Sequence, residues 1–246
     1  MKLYGKNPVL ERIRSAPGSI KKLYLQQLTD LSEIVREAKK QGLSFDSVDK
    51  TSFLRLSGGD VHAQGVMAEV EDFSYTPFAD LLECALDKGT VPVFLDGVTD
   101  PQNLGSIIRN LACLGGFSLV LPEHDSARVN ETVLRVACGG ENHMPIASIG
   151  NTVRGILAVK EQGLWIAGAV AEGGTNILTA KIQRPLAVVI GSEGKGIRPG
   201  VVKHLDARLS LPMKGANLSY NVAVATSLFC YEIMRKGYDK KGEASR

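Results

Sequence analysis

The sequence predicts an α/β fold with a mostly parallel sheet in its larger, C-terminal part and a small α/β domain in front of it. Three observations carry this reading. From residue 91 onward, short apolar runs of strand length alternate with helix-length stretches of helical periodicity. The first 72 residues carry a separate alternation of helix and strand signals, and residues 73–90 lack a strand pattern and end on Gly89-Thr90. The 246 residues, 44% hydrophobic and 22% charged, are enough for one large domain or two ordinary ones with a real core. The expected division is 1–72 as an N-terminal domain, 73–90 as a linker and 91–246 as the parallel-sheet domain.

In the N-terminal part, Pro8-Val9-Leu10 with Ile13 predicts a first helix, and Lys22-Leu23-Tyr24-Leu25 a strand. Ser32 to Lys40 has the apolar spacing of an amphipathic helix, and a short extended stretch follows Gly42. The tail of Val61–Val70 alternates like an edge or meander strand. The connector holds one short helix. Val91-Pro92-Val93-Phe94-Leu95, closed by Asp-Gly, is the pattern of a strand buried on both faces. Further strands are expected at Ser118–Leu121, Trp165–Val170, Leu186–Ile190 and Arg208–Leu211, with helices near 104–115, 130–138, 151–162 and 221–236.

Several classes are excluded. No run of 18 apolar residues is present to span a membrane. The charged start MKLYGKNPVLERIR lacks the apolar run of a signal peptide, which predicts a cytoplasmic protein. Cys84, Cys113, Cys138 and Cys230 are widely spaced without a CxxC pair, and His62, His124, His143 and His204 show no ligand spacing. Neither a disulfide framework nor a metal site is expected. The net charge of +3 is unevenly placed: residues 194–246 hold 10 Lys/Arg against 4 Asp/Glu, and residues 1–75 hold 11 against 10. The first 22 residues set Lys2, Lys6, Arg12, Arg14, Lys21 and Lys22 against Glu11 alone. Basic ends around an acidic middle are compatible with a polyanionic partner.

Ligands of parallel sheets bind at the carboxyl ends of strands, where three segments stand out. After the first strand of the larger domain, Asp96–Asn110 contains Asn103, placed to cap a helix, and Arg109 almost two turns further in. Val188–Ile197 is a strand followed by Gly191, Gly194 and Gly196, which lets backbone approach a ligand closely. Val189 and Gly196 stand where a P-loop requires glycine and Ser/Thr, and Pro199 breaks a dinucleotide fingerprint. In Leu209–Ala225 a strand is broken by Pro212 and followed by an Asn- and Ser-containing loop, with Ser219 or Asn221 available as a helix cap.

The order N-x-G-x-x-x-R, then strand-G-x-E-G-x-G, then L-P-M-x-G…S-x-N-V-x-V-A resembles the SpoU (TrmH-like) class of knotted RNA ribose 2′-O-methyltransferases over residues 91–236. Tyr4-Gly5-x-Asn7-x-Val9 and His62-x-Gln64-Gly65 are similar to the small substrate-binding domain of that class. Within the class, the two-domain layout is most similar to enzymes that methylate a guanosine in 23S rRNA. The resemblance implies a trefoil knot, a homodimer, S-adenosylmethionine as cofactor and RNA as partner. It implies Asn103, Arg109, Glu193, Ser219 and Asn221 as catalytic positions. It also implies Gly191, Leu211 and Tyr220 as positions whose backbone holds the cofactor. Three residues depart from the pattern: Tyr220 replaces a smaller aliphatic residue, and Leu218 and Ala223 stand where serine is common. Because a guanidinium has a pKa above about 12, Arg109 is expected to clamp phosphate and developing alkoxide rather than act as base. Glu193 is expected to fix Asn103 or the pocket. The N-terminal basic cluster and Lys195, Arg198 and Lys214 are candidate RNA surfaces. A tRNA ribose methyltransferase and a non-catalytic RNA-binding assembly factor of the same fold remain alternatives.

Overall fold

The computed structural model describes all residues except 60–62, 216–217 and 244–246, and the side chains of 238–243 are likewise not described. His62 of the N-terminal motif and Ala216 and Asn217 of the third segment therefore lie outside the described residues.

The N-terminal elements are β1 (Lys2–Tyr4), α1 (Lys6–Ser15), β2 (Ile20–Gln26), α2 (Ser32–Lys40), β3 (Asp46–Val48), α3 (Lys50–Leu56) and β4 (Val66–Val70). They form a four-stranded sheet in the order β1-β4-β2-β3, with β4 antiparallel to both neighbours and β2 parallel to β3. In α1, Pro8 sits in the first turn, where its missing N–H costs nothing, and Val9, Leu10 and Ile13 face the core. Helix α2 has the bounds its spacing predicts, burying Ile34 and Ala38 one turn apart. Two elements had no adequate sequence signal. Strand β1 is three residues long, and α3 buries only Phe53 and depends on Asp49, whose carboxylate accepts from Thr51 N at 2.9 Å and Ser52 N at 3.1 Å.

The remaining elements are α4 (Phe78–Lys88), β5 (Val91–Asp96), α5 (Pro101–Leu114), β6 (Phe117–Pro122), α6 (Glu131–Ala137), β7 (Ile146–Ile149), α7 (Thr152–Glu161), β8 (Trp165–Ala169), β9 (Thr175–Asn176), β10 (Leu186–Gly191), α8 (Pro199–Val202), β11 (Ala207–Ser210) and α9 (Val222–Glu243). Seven strands form one sheet in the order β7-β6-β5-β10-β8-β11-β9, and every pairing is parallel. The strands alternate between two layers. Val93, Leu95, Val188 and Ile190 join the core with α5, α6 and α9, while Phe94, Val120, Val189 and Ile166 join the one with α4 and α7. Each such side chain contributes about 1.5–3 kcal/mol by leaving water. Strands β7 and β9, four and two residues long, were too short to be read from periodicity. Helix α5 begins three residues earlier than a cap at Asn103 would require. Asp100 is the cap, accepting from Gln102 N at 2.9 Å, and Pro101 opens the helix. Asn103 is thus free for another task.

The N-terminal elements rest on the α5–α6 layer, and one apolar cluster runs from Leu3, Val9 and Ile13 to Val133 and Leu134. Polar contacts cross the same junction: Lys2 N donates to Glu131 Oε1 at 2.6 Å, and Arg12 pairs with Glu141 at 2.7 Å.

Candidate active site

Because the sheet is parallel, β5, β8, β10 and β11 all deliver their carboxyl ends to one edge, and there the three segments singled out above converge. A cavity of about 290 Å³ opens at this edge, lined by Ala169–Ala171, Ile190–Gly194, Gly196, Leu211, Met213, Ser219, Tyr220, Val222, Ala225 and Phe229. Its lining is mostly apolar residues and glycines, with Ser192, Glu193 and Ser219 as polar members, a composition suited to a flat aromatic ring with polar edges. The loop after β10 closes on itself: Ser192 N donates to Gly196 O at 3.2 Å and Gly196 N to Ser192 O at 3.0 Å. Gly191 is required by this closure, since a Cβ there would overlap the carbonyl carbon of Gly196 and the nitrogen of Ile197.

The end of the loop is tied down by a residue that sequence reasoning missed. Asp96, the last residue of β5, is fully buried and accepts from Arg198 N at 2.8 Å and Arg198 Nε at 2.7 Å, with Arg198 Nη2 at 2.6 Å. Arg198 Nη2 also donates to Thr152 Oγ1 at 3.1 Å. Arg198 thus anchors the cavity loop through Asp96 while 47% of its side chain stays exposed. A carboxylate ending an apolar strand was the available signal. Lys195 and Lys214 are exposed.

On the rim, three of the expected catalytic residues meet. Asn221 Nδ2 donates to Glu193 Oε1 at 2.7 Å and to Asn103 Oδ1 at 2.8 Å, and Asn103 Nδ2 lies 3.5 Å from Glu193 Oε1. Val222 N donates to the same Glu193 oxygen at 2.9 Å. Asn221 also caps α9, accepting on Oδ1 from Ala223 N at 3.0 Å, so capping and site roles coexist in one side chain. Residues 90 and 118 positions apart are held in one hydrogen-bonded group. Gly191, Leu211, Ser219 and Tyr220 line the cavity beside it.

Arg109 is not part of that group. It lies about 9 Å further along α5 and lines a separate cleft of about 570 Å³ between α1 and α5, with Asn7, Glu11, Arg14, Cys138 and His143. Arg109 Nη1 is 3.7 Å from Cys138 Sγ. Burial pushes the Cys138 thiol up, and the Arg109 charge pulls it the other way. Of the N-terminal basic cluster, Arg12 is buried against Glu141 and Arg14 pairs with Glu33 at 2.9 Å, while Lys21 and Lys22 are exposed.

Comparison with known proteins bears on this geometry. Residues 90–231 match the SpoU rRNA Methylase family, and residues 2–76 match the RNA 2′-O ribose methyltransferase substrate binding family. An uncharacterized tRNA/rRNA methyltransferase of Synechocystis sp. is 36% identical over 84% of this chain and 54% of its own, so the chain spans about half of that relative's length. The 23S rRNA (guanosine-2′-O-)-methyltransferase RlmB of Pectobacterium atrosepticum is 32% identical over 95% of this chain and 97% of its own. Among solved structures, the SpoU methyltransferase AviRb of Streptomyces viridochromogenes, in complex with AdoMet, superimposes with a TM-score of 0.78 over 97% of this chain and 91% of its own, at 20% identity. The strand-end motifs, the parallel sheet that gathers them and the two family matches agree, and the chain belongs to the SpoU family of RNA methyltransferases.

Proposed function

We propose that this protein transfers a methyl group from S-adenosylmethionine to a ribose 2′-OH of 23S rRNA, at a guanosine. One observation carries the reading: the cavity at the ends of β8, β10 and β11 is lined by residues of the Gly191, Leu211 and Tyr220 segments, and its rim holds the Glu193–Asn221–Asn103 group. The fit to the cofactor is supported by Gly191, whose missing Cβ lets the loop fold tightly around the cavity edge, and by the mostly apolar lining that would receive an adenine. When bound, the cofactor supplies an activated methyl on a sulfonium. The chain's own task is alignment of the acceptor, which can supply roughly 7–11 kcal/mol.

Glu193 holds Asn221 and Asn103 in fixed orientation, so that their remaining polar atoms present a preset edge to the ribose. Arg109, in the neighbouring cleft, clamps a phosphate of the acceptor strand and stabilises the developing alkoxide. The hydroxyl proton leaves to water or to an RNA phosphate, because a guanidinium is too weak a base. The likeness to the Pectobacterium enzyme, running nearly the full length of both chains, favours 23S rRNA. The tRNA/rRNA designation of the Synechocystis relative keeps tRNA as the second reading.

The same reading includes a homodimer in the cytoplasm. Val224, Leu228 and Tyr231 are exposed along one side of α9, a stripe that supports pairing with a second copy. The reading also includes the trefoil knot that the family resemblance implies. No helix among the described residues is long and apolar enough to cross a membrane.

The test is transfer of labelled methyl from S-adenosylmethionine to unmodified 23S rRNA and, separately, to unmodified tRNA, with Arg109→Ala as control. Label in 23S rRNA that falls to a small residual rate in the control is the expected result, and digestion then locates a 2′-O-methylguanosine. Label in tRNA alone overturns the substrate, and label in neither overturns the activity.

A further inference from the structure

The turn between α6 and β7 is wedged between α1 and α5 by two consecutive glycines. On one side, a Cβ on Gly139 would overlap Glu11 Cγ in α1; on the other, a Cβ on Gly140 would stand 3.1 Å from Arg109 Cα and 3.3 Å from Arg109 N. The turn therefore sits at van der Waals distance from the backbone of Arg109, with no side chain between them to absorb a shift. The next residue, Glu141, points its carboxylate back to α1, where Oε1 accepts from Arg12 Nη2 at 2.7 Å. Both side chains are nearly sealed, at 1% exposure for Glu141 and 9% for Arg12. Around this pair, Arg12 Nη1 is 3.4 Å from Ser19 Oγ, Asn142 Nδ2 is 3.5 Å from Glu141 Oε1, the backbone N–H groups of Glu141 and Gly139 also favour the ionised carboxylate, and Arg12 Nε and Glu141 Oε2 have no close hydrogen-bond partner among the described residues.

A pair buried in this way is a poor source of stability, since apolar residues of similar volume commonly do as well or better. Its useful property is direction: an ion pair has one good geometry, whereas an apolar contact tolerates sliding. From this geometry we infer that Arg12 and Glu141 are positioning residues for Arg109, setting α1 against the Gly139–Gly140 turn and thereby the wall of the cleft from which Arg109 reaches the RNA. The cleft is arranged as this requires, with Asn7, Glu11 and Arg14 on the α1 wall facing Arg109, Cys138 and His143. Glu11 also reaches across to His143 Nε2 at 2.8 Å, but that contact is half-exposed and open to water. The sealed pair is the stiffer of the two links. The inference rests on the reading that Arg109 grips the acceptor strand.

The experiment is a double-mutant cycle on the full chain, with S-adenosylmethionine and unmodified total RNA (rRNA and tRNA together) as substrates. Glu141→Gln keeps the shape of the side chain and removes its charge, and Arg12→Met/Glu141→Leu replaces the whole pair with apolar side chains. Both should bind S-adenosylmethionine as the wild type does in calorimetry, and both should lose at least tenfold in kcat with KM for RNA little changed. Arg12→Lys, which keeps the charge, should recover most of the loss. In an Arg109→Ala background the pair substitutions should have no further effect on the residual single-turnover rate, because their route to the reaction is already gone. Additive losses in that background, or wild-type kcat in a folded pair variant, overturn the inference. Should one pair variant fail to fold, the other is read by the same two criteria. Near-wild-type activity of Arg109→Ala by itself overturns the Arg109 reading instead, so the two failures are distinguishable.

Discussion

Glu193 organises the rim of the cavity through a single oxygen, Oε1, which receives Asn221 Nδ2, Val222 N and, more distantly, Asn103 Nδ2. An anion at the start of α9 is also favoured by the partial positive charge of a helix N-terminus. Glu193→Ala should therefore cost about 1.5–3 kcal/mol, the worth of hydrogen bonds to a charged group, visible as a lower urea midpoint together with a fall in methyl transfer. A full-rate, full-stability variant would remove Glu193 from the site. Tyr220 is the opposite case. Its side chain is 44% exposed, and its place in the cavity wall is read as backbone. Tyr220→Leu should change S-adenosylmethionine affinity by no more than about twofold, the effect of an ordinary surface substitution; a larger loss in calorimetry would show that the ring itself makes the contact.

At the scale of elements, the buried Asp96 shows how the end of one strand fixes the loop of another. The two halves of its ion pair are unequal, with Asp96 fully buried and Arg198 47% exposed. Arg198→Ala leaves a carboxylate stranded in the core and should cost about 3–5 kcal/mol. Asp96→Asn leaves a cation that can turn to water and should cost about 1–3 kcal/mol; denaturant titration of both variants checks the order, and equal losses would contradict it. The same scale explains what the sequence made legible. Helix α2 could be read to its ends because apolar spacing and flanking turns agree. The long strands β5, β6 and β10 could be read because each is a bounded apolar run. Strands β7 and β9 exist through pairing with neighbours rather than through any pattern of their own. The motif containing Asn103 and Arg109 was legible as one unit, but six helical steps turn the second residue about 240° from the first. That rotation separates the Glu193 group from the α1 cleft. Nothing local in the sequence joins Arg12 to Glu141 or Asp96 to Arg198, because those pairs form only once distant segments have packed.

At the scale of the whole molecule, exposed lysines of the candidate RNA surfaces lie in both parts, Lys21 and Lys22 in the N-terminal sheet and Lys195 and Lys214 around the cavity. If both groups contact RNA phosphates, the affinity for RNA must fall steeply with salt while that for S-adenosylmethionine changes little. The paired substitution Lys21→Ala/Lys22→Ala should reduce the salt slope by about 1.4, or about 0.7 for each lost single-strand contact. An unchanged slope in filter binding would take the N-terminal lysines out of the interface. The carboxylate of Glu193 has one more consequence. It walls the cavity and also anchors the first turn of α9, whose outer side carries Val224, Leu228 and Tyr231. A molecule in the cavity that steadies Glu193 also steadies that turn, and slower amide hydrogen exchange at its start would register the effect. Thermodynamic reciprocity then ties the two surfaces together: whatever binds the outer side of α9 more tightly when the cavity is filled must, by the same factor, tighten the filling of the cavity.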